Sequence, residues 1–262
     1  MNIPLLNRLR QADGAFVPWP SLAGEWPGAV ADLEELAAFG FELERHPFHG
    51  AAYRGPAERL CPDQIEWELG TSRIGRRIAV WDRVPSTNDI AARAASSRAN
   101  DGLAVLAEEQ TAGRGRRGRT WSAPPRSSIL LSVLIFPEGA LEDPGWLTAL
   151  GAVAVAEVVA ETTGADARIK WPNDVRVDRR KVAGILVERG PGAVIGIGLN
   201  VNVEVDDFPP ELADSATSLL RLAGQTFDRS EIGRLLLQRL DHWYGLGLES
   251  GPASLDAPVR VR

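Results

Sequence analysis

The feature that most restricts how this chain can fold is a glycine- and arginine-rich segment, residues 113–119, between two apolar runs. It holds three glycines and four arginines. The glycines let a backbone close around a ligand without Cβ clashes, and the arginines supply forked donors suited to carboxylate or phosphate. The flanking runs, 103–107 and 128–136, have the composition of buried strands. Because the low complexity stops on both sides, the segment indicates an anion-binding loop in a globular domain rather than an RGG-like disordered tail.

The composition narrows the classes of protein to which the chain can belong. The net charge of −6 over 262 residues argues against a general nucleic-acid binder, which is usually basic. A single cysteine, Cys61, excludes an internal disulfide framework and fits a reducing compartment, and the three histidines make no metal-ligand pattern. The N-terminus lacks the apolar stretch of a signal peptide, and the apolar segment 146–159 is short for a membrane span and contains Glu157. We therefore expect a cytoplasmic protein with no membrane partner.

Residues 1–70 differ in character from the rest of the chain. They hold eleven acidic and five basic residues, which gives them a net charge of −6. Patterns for a short helix at 5–10, a helix at 27–40 and a hairpin at 41–54 follow the outline of a winged helix. A recognition helix must offer positive charge to DNA, whereas this one offers Asp32, Glu34 and Glu35. The sequence thus predicts a small, degenerate winged-helix-like domain that binds no DNA.

From Gly75 onward the pattern becomes that of an α+β domain with a mixed sheet. A helix opens at 85–89, where Ser86 or Thr87 can cap it, and runs to Ala95. A second, longer helix is predicted at 146–162. The predicted strands are 77–81, 103–107, 129–136, a strand at 168–177 broken by Pro172, and two strands joined by a turn, 181–188 and 193–202.

Five motifs in this region carry a resemblance to a known family. They are Ser86-Thr87-Asn88, the segment 110–119, Lys170-Trp-Pro-Asn-Asp174, residues 181–188 and residues 196–202. In this order they resemble the biotin protein ligases over about residues 75–245. The resemblance implies a catalytic domain of the biotin/lipoate protein ligase type over 71–262, after the N-terminal domain of 1–70. The family usually ends in an SH3-like barrel, and residues 258–262 fall about where its first strand would begin, so we expect this barrel to be absent or truncated.

The resemblance also implies a reaction. The carboxylate of biotin attacks the α-phosphate of MgATP, which gives biotinyl-5′-AMP and pyrophosphate, and a lysine of a biotin carboxyl carrier protein then attacks the mixed anhydride. ATP, Mg²⁺, biotin and the carrier are the implied cofactors, substrate and partner, and a homodimer is possible. Two alternatives remain open: a biotin-sensing transcriptional repressor, and a lipoate- or octanoyl-type protein ligase of the same fold.

The same resemblance assigns roles to individual residues. Arg116 and Lys181 are the implied catalytic residues, and Asp174 is the implied Mg²⁺ ligand, since a hard cation favours a carboxylate. The implied biotin contacts are Ser86, Thr87, Asn88, Gln110, Arg114, Gly115, Arg116, Lys181 and Gly184. The implied ATP contacts are Arg114, Arg116, Lys170, Asn173, Lys181 and Asn200. Neutral amides and hydroxyls suit a neutral cyclic urea, and Gly196 and Gly198 would permit close approach of the nucleotide.

Overall fold

The structure is a computed structural model that describes residues 1–138 and 142–250. Residues 258–262, on which the expectation of a truncated barrel rests, lie outside the described residues. The helices are α1 (Ile3–Arg10), α2 (Trp19–Glu25), α3 (Ala29–Phe39), α4 (Pro62–Glu66), α5 (Thr87–Ala94), α6 (Pro144–Thr163), α7 (Leu219–Ala223) and α8 (Arg229–Ser250). The strands are β1 (Glu42–His46), β2 (Gly50–Gly55), β3 (Arg77–Val84), β4 (Leu103–Gln110), β5 (Ser128–Ile135), β6 (Arg168–Lys170), β7 (Asp174–Val177), β8 (Arg180–Arg189) and β9 (Ala193–Asn200).

The N-terminal segment forms three helices followed by the antiparallel hairpin β1–β2, which is one helix more than the sequence pattern predicted. Apolar side chains from α1 and α3, such as Leu5, Leu9 and Leu33, are buried in a small core of their own. Leu60 and Ile65 belong instead to the core of the larger part of the chain. The division of the chain into two domains at about residue 70 stays a prediction.

The rest of the chain is built on a seven-stranded sheet in the order β3-β4-β5-β9-β8-β7-β6. β3 and β4 are parallel, and every other neighbouring pair is antiparallel. The predicted α+β fold with a mixed sheet is thereby confirmed. The segment 168–177 differs from the expectation of one interrupted strand, since β6 and β7 pair with each other in a hairpin. Pro172 lies in the turn, where its missing N–H removes no ladder hydrogen bond.

Helices cover both faces of the sheet. α6 and α8 pack on one face, where alternate residues of β5 such as Ile129 and Val133 enter the main core. α6 has the length and apolar composition of a membrane span, but its side chains are largely buried in this core. On the other face, Ala91 of α5 packs against Val105 and Val194.

The period of two along β9 separates the core from the opposite face. Ile195, Ile197 and Leu199 point into the main core. Gly196, Gly198 and Asn200 therefore lie on the face that carries α5. The sequence predicted this strand, and its glycines fall on the face where a ligand can approach the sheet.

A buried ion pair joins the N-terminal segment to the sheet. Arg229 Nη2 of α8 lies 2.7 Å from Glu108 Oε2 of β4, and both side chains are at most 5% exposed. The backbone N–H of Leu60 donates to Glu108 Oε1 at 2.5 Å, and Arg229 also donates to the carbonyl of Glu58. The segment before α4 is thus bound to the sheet through charged groups that water does not reach.

Candidate functional site

A cleft of about 540 Å³ opens on the α5 side of the sheet, beside the glycine-bearing stretch of β9. It brings together all thirteen residues that the sequence predicted for the site, from segments far apart in the chain. They are Ser86, Thr87, Asn88, Gln110, Arg114, Gly115, Arg116, Lys170, Asn173, Asp174, Lys181, Gly184 and Asn200. Their individual roles stay predictions.

One end of the cleft is lined by neutral hydrogen-bonding groups at the start of α5. Gln110 Oε1 accepts from the Thr87 backbone N–H at 2.8 Å and from its hydroxyl at 3.0 Å. Ser132 Oγ, fully buried on β5, lies 2.7 Å from Thr87 Oγ1 and 2.5 Å from Asn88 Oδ1. One hydroxyl proton serves two acceptors there, so at least one of them keeps capacity for a ligand N–H. No motif pointed to Ser132, because its place beside Thr87 depends on the packing of α5 on β5.

Ser86 occupies the N-cap position of α5, as predicted, but its side chain makes no capping hydrogen bond. The Thr87 hydroxyl is also directed elsewhere, to Gln110. The expected capping role is therefore wrong for both side chains. The Ser86 hydroxyl lines the cleft instead and is available to a ligand.

Lys181 lies towards the other end of the cleft and is held by its backbone as well as by its charge. Its N–H donates to the Ser215 carbonyl at 2.7 Å, and its carbonyl accepts from the Thr217 N–H at 2.9 Å. Its ammonium lies 2.7 Å from Asp174 Oδ1 and 5.4 Å from the centre of the Trp121 ring. A strand residue anchored in this way presents a positive charge in a defined position.

Asp174, the predicted Mg²⁺ ligand, already binds two cations of the protein. Besides Lys181, Arg176 Nη2 lies 3.5 Å from Asp174 Oδ2. Within residues 1–138 and 142–250, no group of three or more His, Cys, Asp or Glu side chains is arranged to hold a metal. The residues present fit a Mg²⁺ ion only if substrate phosphates supply most of its ligands and Asp174 adds one carboxylate, which is a common arrangement for this ion.

The glycine- and arginine-rich segment 113–119, called the arginine loop from here on, closes on itself beside Lys181. The Gly115 N–H donates to the Arg119 carbonyl at 2.6 Å, and the Trp121 N–H donates to the Gly113 carbonyl at 3.0 Å. Arg117 at the tip adopts a left-handed conformation with φ of 57°. Arg116 reaches Asn173, whose Oδ1 accepts from Nη1 at 3.2 Å.

The charges in the cleft are unevenly paired. Among the described residues, no carboxylate lies within ion-pairing distance of four of the cations that line it. These four are Arg116, Arg117, Arg119 and Lys170. Arg114 differs, because its guanidinium is paired with Asp89 and Glu188. The unpaired cations create a region of positive potential suited to an anionic ligand.

Three glycines form the floor of the cleft, and the side chain that covers two of them was not predicted. A Cβ at Gly198 would lie 2.2 Å from Trp121 Cε2, and one at Gly184 would lie 3.1 Å from Trp121 Cζ3. A Cβ at Gly196 would lie 2.3 Å from Asn88 Oδ1. The glycines thus admit side chains of the protein itself, although the sequence predicted that they admit a nucleotide. Trp121 Nε1 is buried without a hydrogen-bond partner within the described part of the chain, so a donor is available at this floor.

Asn200 and Lys170 complete the set of predicted residues. Asn200 is 5% exposed at the end of β9, and its Nδ2 donates to the Thr217 carbonyl at 3.0 Å. Lys170 ends β6 at the rim of the cleft, next to Trp171, which is 59% exposed. The hydrogen bond of Asn200 and the position of Lys170 at the rim are both compatible with the predicted role of these residues near a nucleotide.

The mixed sheet with helices on both faces and the cleft beside its glycine-bearing strand define an α+β protein whose cleft has neutral hydrogen-bonding groups at one end and cations at the other. Comparison with known proteins agrees with this class. The family model described as the biotin/lipoate A/B protein ligase family matches residues 80–204, which run from β3 to just beyond β9.

Individual relatives give the same result. The chain is 40% identical over 190 residues to a biotin--[acetyl-CoA-carboxylase] ligase of Mycobacterium tuberculosis, covering 70% of this chain and 69% of that protein. It is 36% identical over 206 residues to the bifunctional ligase/repressor BirA of Bacillus subtilis, and the match spans 76% of this chain but 63% of that relative's length. A solved structure of the Aquifex aeolicus biotin protein ligase in complex with biotin and ATP matches with a TM-score of 0.61 and 31% identity, over 67% of this chain and 73% of that one. The chain belongs to the biotin/lipoate A/B protein ligase family, which confirms the resemblance seen in its motifs.

Proposed function

We propose that this protein is an ATP-dependent ligase that joins biotin to a lysine of a biotin carboxyl carrier protein through biotinyl-5′-AMP. The observation that carries the proposal is the polarity of the cleft. Thr87, Asn88 and Gln110 offer neutral donors and acceptors at one end, and cations such as Arg116 and Lys181 lie at the other. Biotin has this polarity, since its ureido ring is neutral and its carboxylate is charged.

The proposed first step brings two anions together. An oxygen of the biotin carboxylate attacks the α-phosphorus of ATP, the bond to the pyrophosphate oxygen breaks, and pyrophosphate leaves. The reaction needs no protein nucleophile, but it needs positive charge where carboxylate and phosphate repel each other. Lys181, whose backbone is held by hydrogen bonds to Ser215 and Thr217, and Arg116 of the loop would supply this charge.

In the proposed second step, the neutral amine of the carrier lysine attacks the carbonyl carbon of the mixed anhydride. The carbon–oxygen bond to AMP breaks, AMP leaves, and the amine nitrogen loses a proton as the amide forms. The same cations stabilise the negative charge that develops on the phosphate of the leaving AMP. Bound Mg²⁺ would supply further neutralisation of the ATP phosphates, and Asp174 is the residue that would hold it.

A related ligase or transferase for lipoate or an octanoyl group is the main alternative. Such a ligand also has a carboxylate, but its other end lacks the polar ureido group for which Thr87, Asn88 and Gln110 provide partners. An enzyme that holds an acyl group as a thioester would need a cysteine in the cleft. The single cysteine, Cys61, is buried in the N-terminal core, where burial raises the pKa of its thiol to about 11. The ionised thiol is thus scarce at neutral pH.

The decisive test is to incubate the protein with biotin, MgATP and a biotin carboxyl carrier domain and to measure the mass of the carrier. We expect one biotinyl group on one lysine. Lipoate and octanoate, supplied in place of biotin, are expected to leave the carrier unchanged. Modification by lipoate or octanoate, with none by biotin, would favour the alternative.

A repressor function is the second alternative, and we expect the protein to bind no DNA. The residues of α3 that face solvent include Glu34 and Glu35, while Asp32 is half-buried and accepts a hydrogen bond from Asn2, so it does not point outward as the sequence suggested. Like-charge repulsion would replace the attraction that Lys and Arg provide in a DNA-binding helix. A gel shift at low salt, where electrostatic binding is strongest, is the most permissive trial. A salt-sensitive, sequence-specific shift would support the alternative that the protein is a transcriptional repressor.

We also expect ligands to order the tip of the arginine loop. Arg116, Arg117 and Arg119 repel one another, and an anionic ligand would offset this repulsion. Trypsin cleavage at the tip should therefore slow when biotin and MgATP are added, while cleavage at exposed arginines far from the cleft, such as Arg54, should be unchanged. Equal cleavage of the loop with and without saturating ligand would contradict this expectation.

The association of two copies of the chain into a homodimer stays a prediction.

A further inference from the structure

Next to the neutral groups at the start of α5 lies a cluster of three charged residues to which the motifs assign no joint role, and of the three only Arg114 lines the cleft. Arg114 Nη2 lies 2.8 Å from Asp89 Oδ1 and 2.9 Å from Glu188 Oε2, and Arg114 Nε lies 3.2 Å from Glu188 Oε1. We call Asp89, Arg114 and Glu188 the clasp. It joins α5, the base of the arginine loop and β8, which are three segments distant in sequence.

The mutual contacts in the clasp favour the charged forms of Glu188 and Arg114. Burial would raise the pKa of Glu188, but hydrogen bonds from Arg114 and Asn88 outweigh it and hold that pKa below the usual value. Hydrogen bonds to Asp89 and Glu188 raise the pKa of Arg114. The guanidinium is therefore already bound to two carboxylates, and a third anion would have to displace one of them.

The clasp also fixes the direction of an amide. Asn88 Nδ2 donates to Glu188 Oε2 at 2.7 Å, so Asn88 Oδ1 is turned towards Ser132 Oγ and the backbone of Gly196. If the amide were reversed, its NH₂ group would face the Ser132 hydroxyl, and its oxygen would face a carboxylate. The charge of Glu188 thus decides which atom of Asn88 is the acceptor beside Thr87.

We propose that the clasp positions the neutral end of the ligand: Glu188 orients Asn88, Arg114 holds Glu188 and Asp89 in place, and the ligand's anionic groups are left to Arg116 and Lys181. This inference rests on the proposed function for the identity of the ligand. Asp89, Arg114 and Glu188 are then positioning residues. Arg114 differs from Arg116, because Arg116 binds an anionic group of the ligand, whereas Arg114 holds two carboxylates of the protein.

The test compares the binding of biotin with that of biotinol, the alcohol analogue that keeps the ureido ring and lacks the carboxylate. Calorimetric titration of the full chain gives the Kd of each ligand for wild type, Glu188→Gln, Arg114→Gln and the double variant. Glu188→Gln removes the charge and keeps the shape. We expect each single variant to weaken both ligands by the same factor, about tenfold, as for the loss of a charged hydrogen bond. The double variant should bind each ligand no more weakly than the single variant with the higher Kd. Either single substitution already disrupts the clasp, so the second adds little.

Two comparisons make the result specific. Arg116→Ala should weaken biotin far more than biotinol, because it removes a contact to the carboxylate. Glu161→Gln breaks another Arg–Glu pair of similar exposure, with Arg239 on α8, and should leave both Kd values unchanged. The unfolding temperatures of the clasp variants should stay close to wild type, which separates positioning from loss of fold.

The outcomes distinguish this inference from the proposed function. If Arg114→Gln weakens biotin but not biotinol, Arg114 binds the carboxylate itself and the inference is overturned. If wild type binds both ligands and the clasp variants bind them equally well, the inference alone fails. If wild type binds neither biotin nor biotinol, the proposed function fails together with it.

Discussion

Replacing Lys181 with alanine should slow formation of the adenylate by about two to three orders of magnitude, the usual loss when a preorganised charge-stabilising group is removed. Lys181 lies on β8, the strand that also carries Gly184 of the glycine floor. Its backbone is held by hydrogen bonds to Ser215 and Thr217, and its ammonium by an ion pair with Asp174. Water that fills the space left by the side chain would have to reorient as charge develops, so it cannot replace a fixed cation. Arg116→Ala should have an effect of the same order, because Arg116 reaches Asn173, next to the Asp174 partner of Lys181, and would supply a second cation to the same reacting groups.

Release of pyrophosphate from biotin and MgATP, without a carrier protein, measures this first step. Arg180→Ala is the matched control, since Arg180 precedes Lys181 on β8 but is exposed and lies outside the cleft. It should retain the wild-type rate. A Lys181→Ala protein that releases pyrophosphate at the wild-type rate would show that the reacting groups lie elsewhere.

Replacing Glu108 with alanine should lower the free energy of unfolding by about 3–5 kcal/mol, the usual cost of removing one partner of a buried ion pair. The carboxylate is the partner of Arg229, which is 3% exposed and would be left charged in a site without water. The Leu60 N–H would lose its acceptor as well. Urea unfolding measures the change.

A matched pair on the surface provides the control. Glu161→Ala breaks an ion pair with Arg239 in which both side chains are more than a third exposed, and solvent screening limits the expected cost to at most about 1 kcal/mol. Glu108→Gln keeps the shape and one acceptor, so it should be less damaging than alanine and remain measurable if the alanine variant does not fold. Equal costs at positions 108 and 161 would mean that the buried pair contributes no more to stability than an exposed one.

The elements with strong local patterns could be predicted from the sequence alone. β5 is an almost continuous apolar run, the apolar residues of β9 alternate with glycine and asparagine, and the long apolar run of α6 has no interruption by Pro or Gly clusters. The five motifs lie in or beside the predicted elements, and the resemblance they carry assigns thirteen residues to one site. The structure brings these thirteen residues together in one cleft. Local sequence also predicted Ser86 at the N-cap position, although it assigned the wrong use to the hydroxyl.

Tertiary structure alone decided which partners those residues have. Ser132 and Asp89 lie outside the five motifs, and Glu188 ends one of them without an implied role of its own. All three gain a role because α5, β5 and β8 meet at one end of the cleft. The hairpin at Pro172 follows from the pairing of β6 with β7, which the local pattern does not specify. The sequence determined the elements and the chemical groups, because both depend on nearby residues. Packing decided which cations are paired and which remain for a ligand, because that depends on distances between segments far apart in the chain.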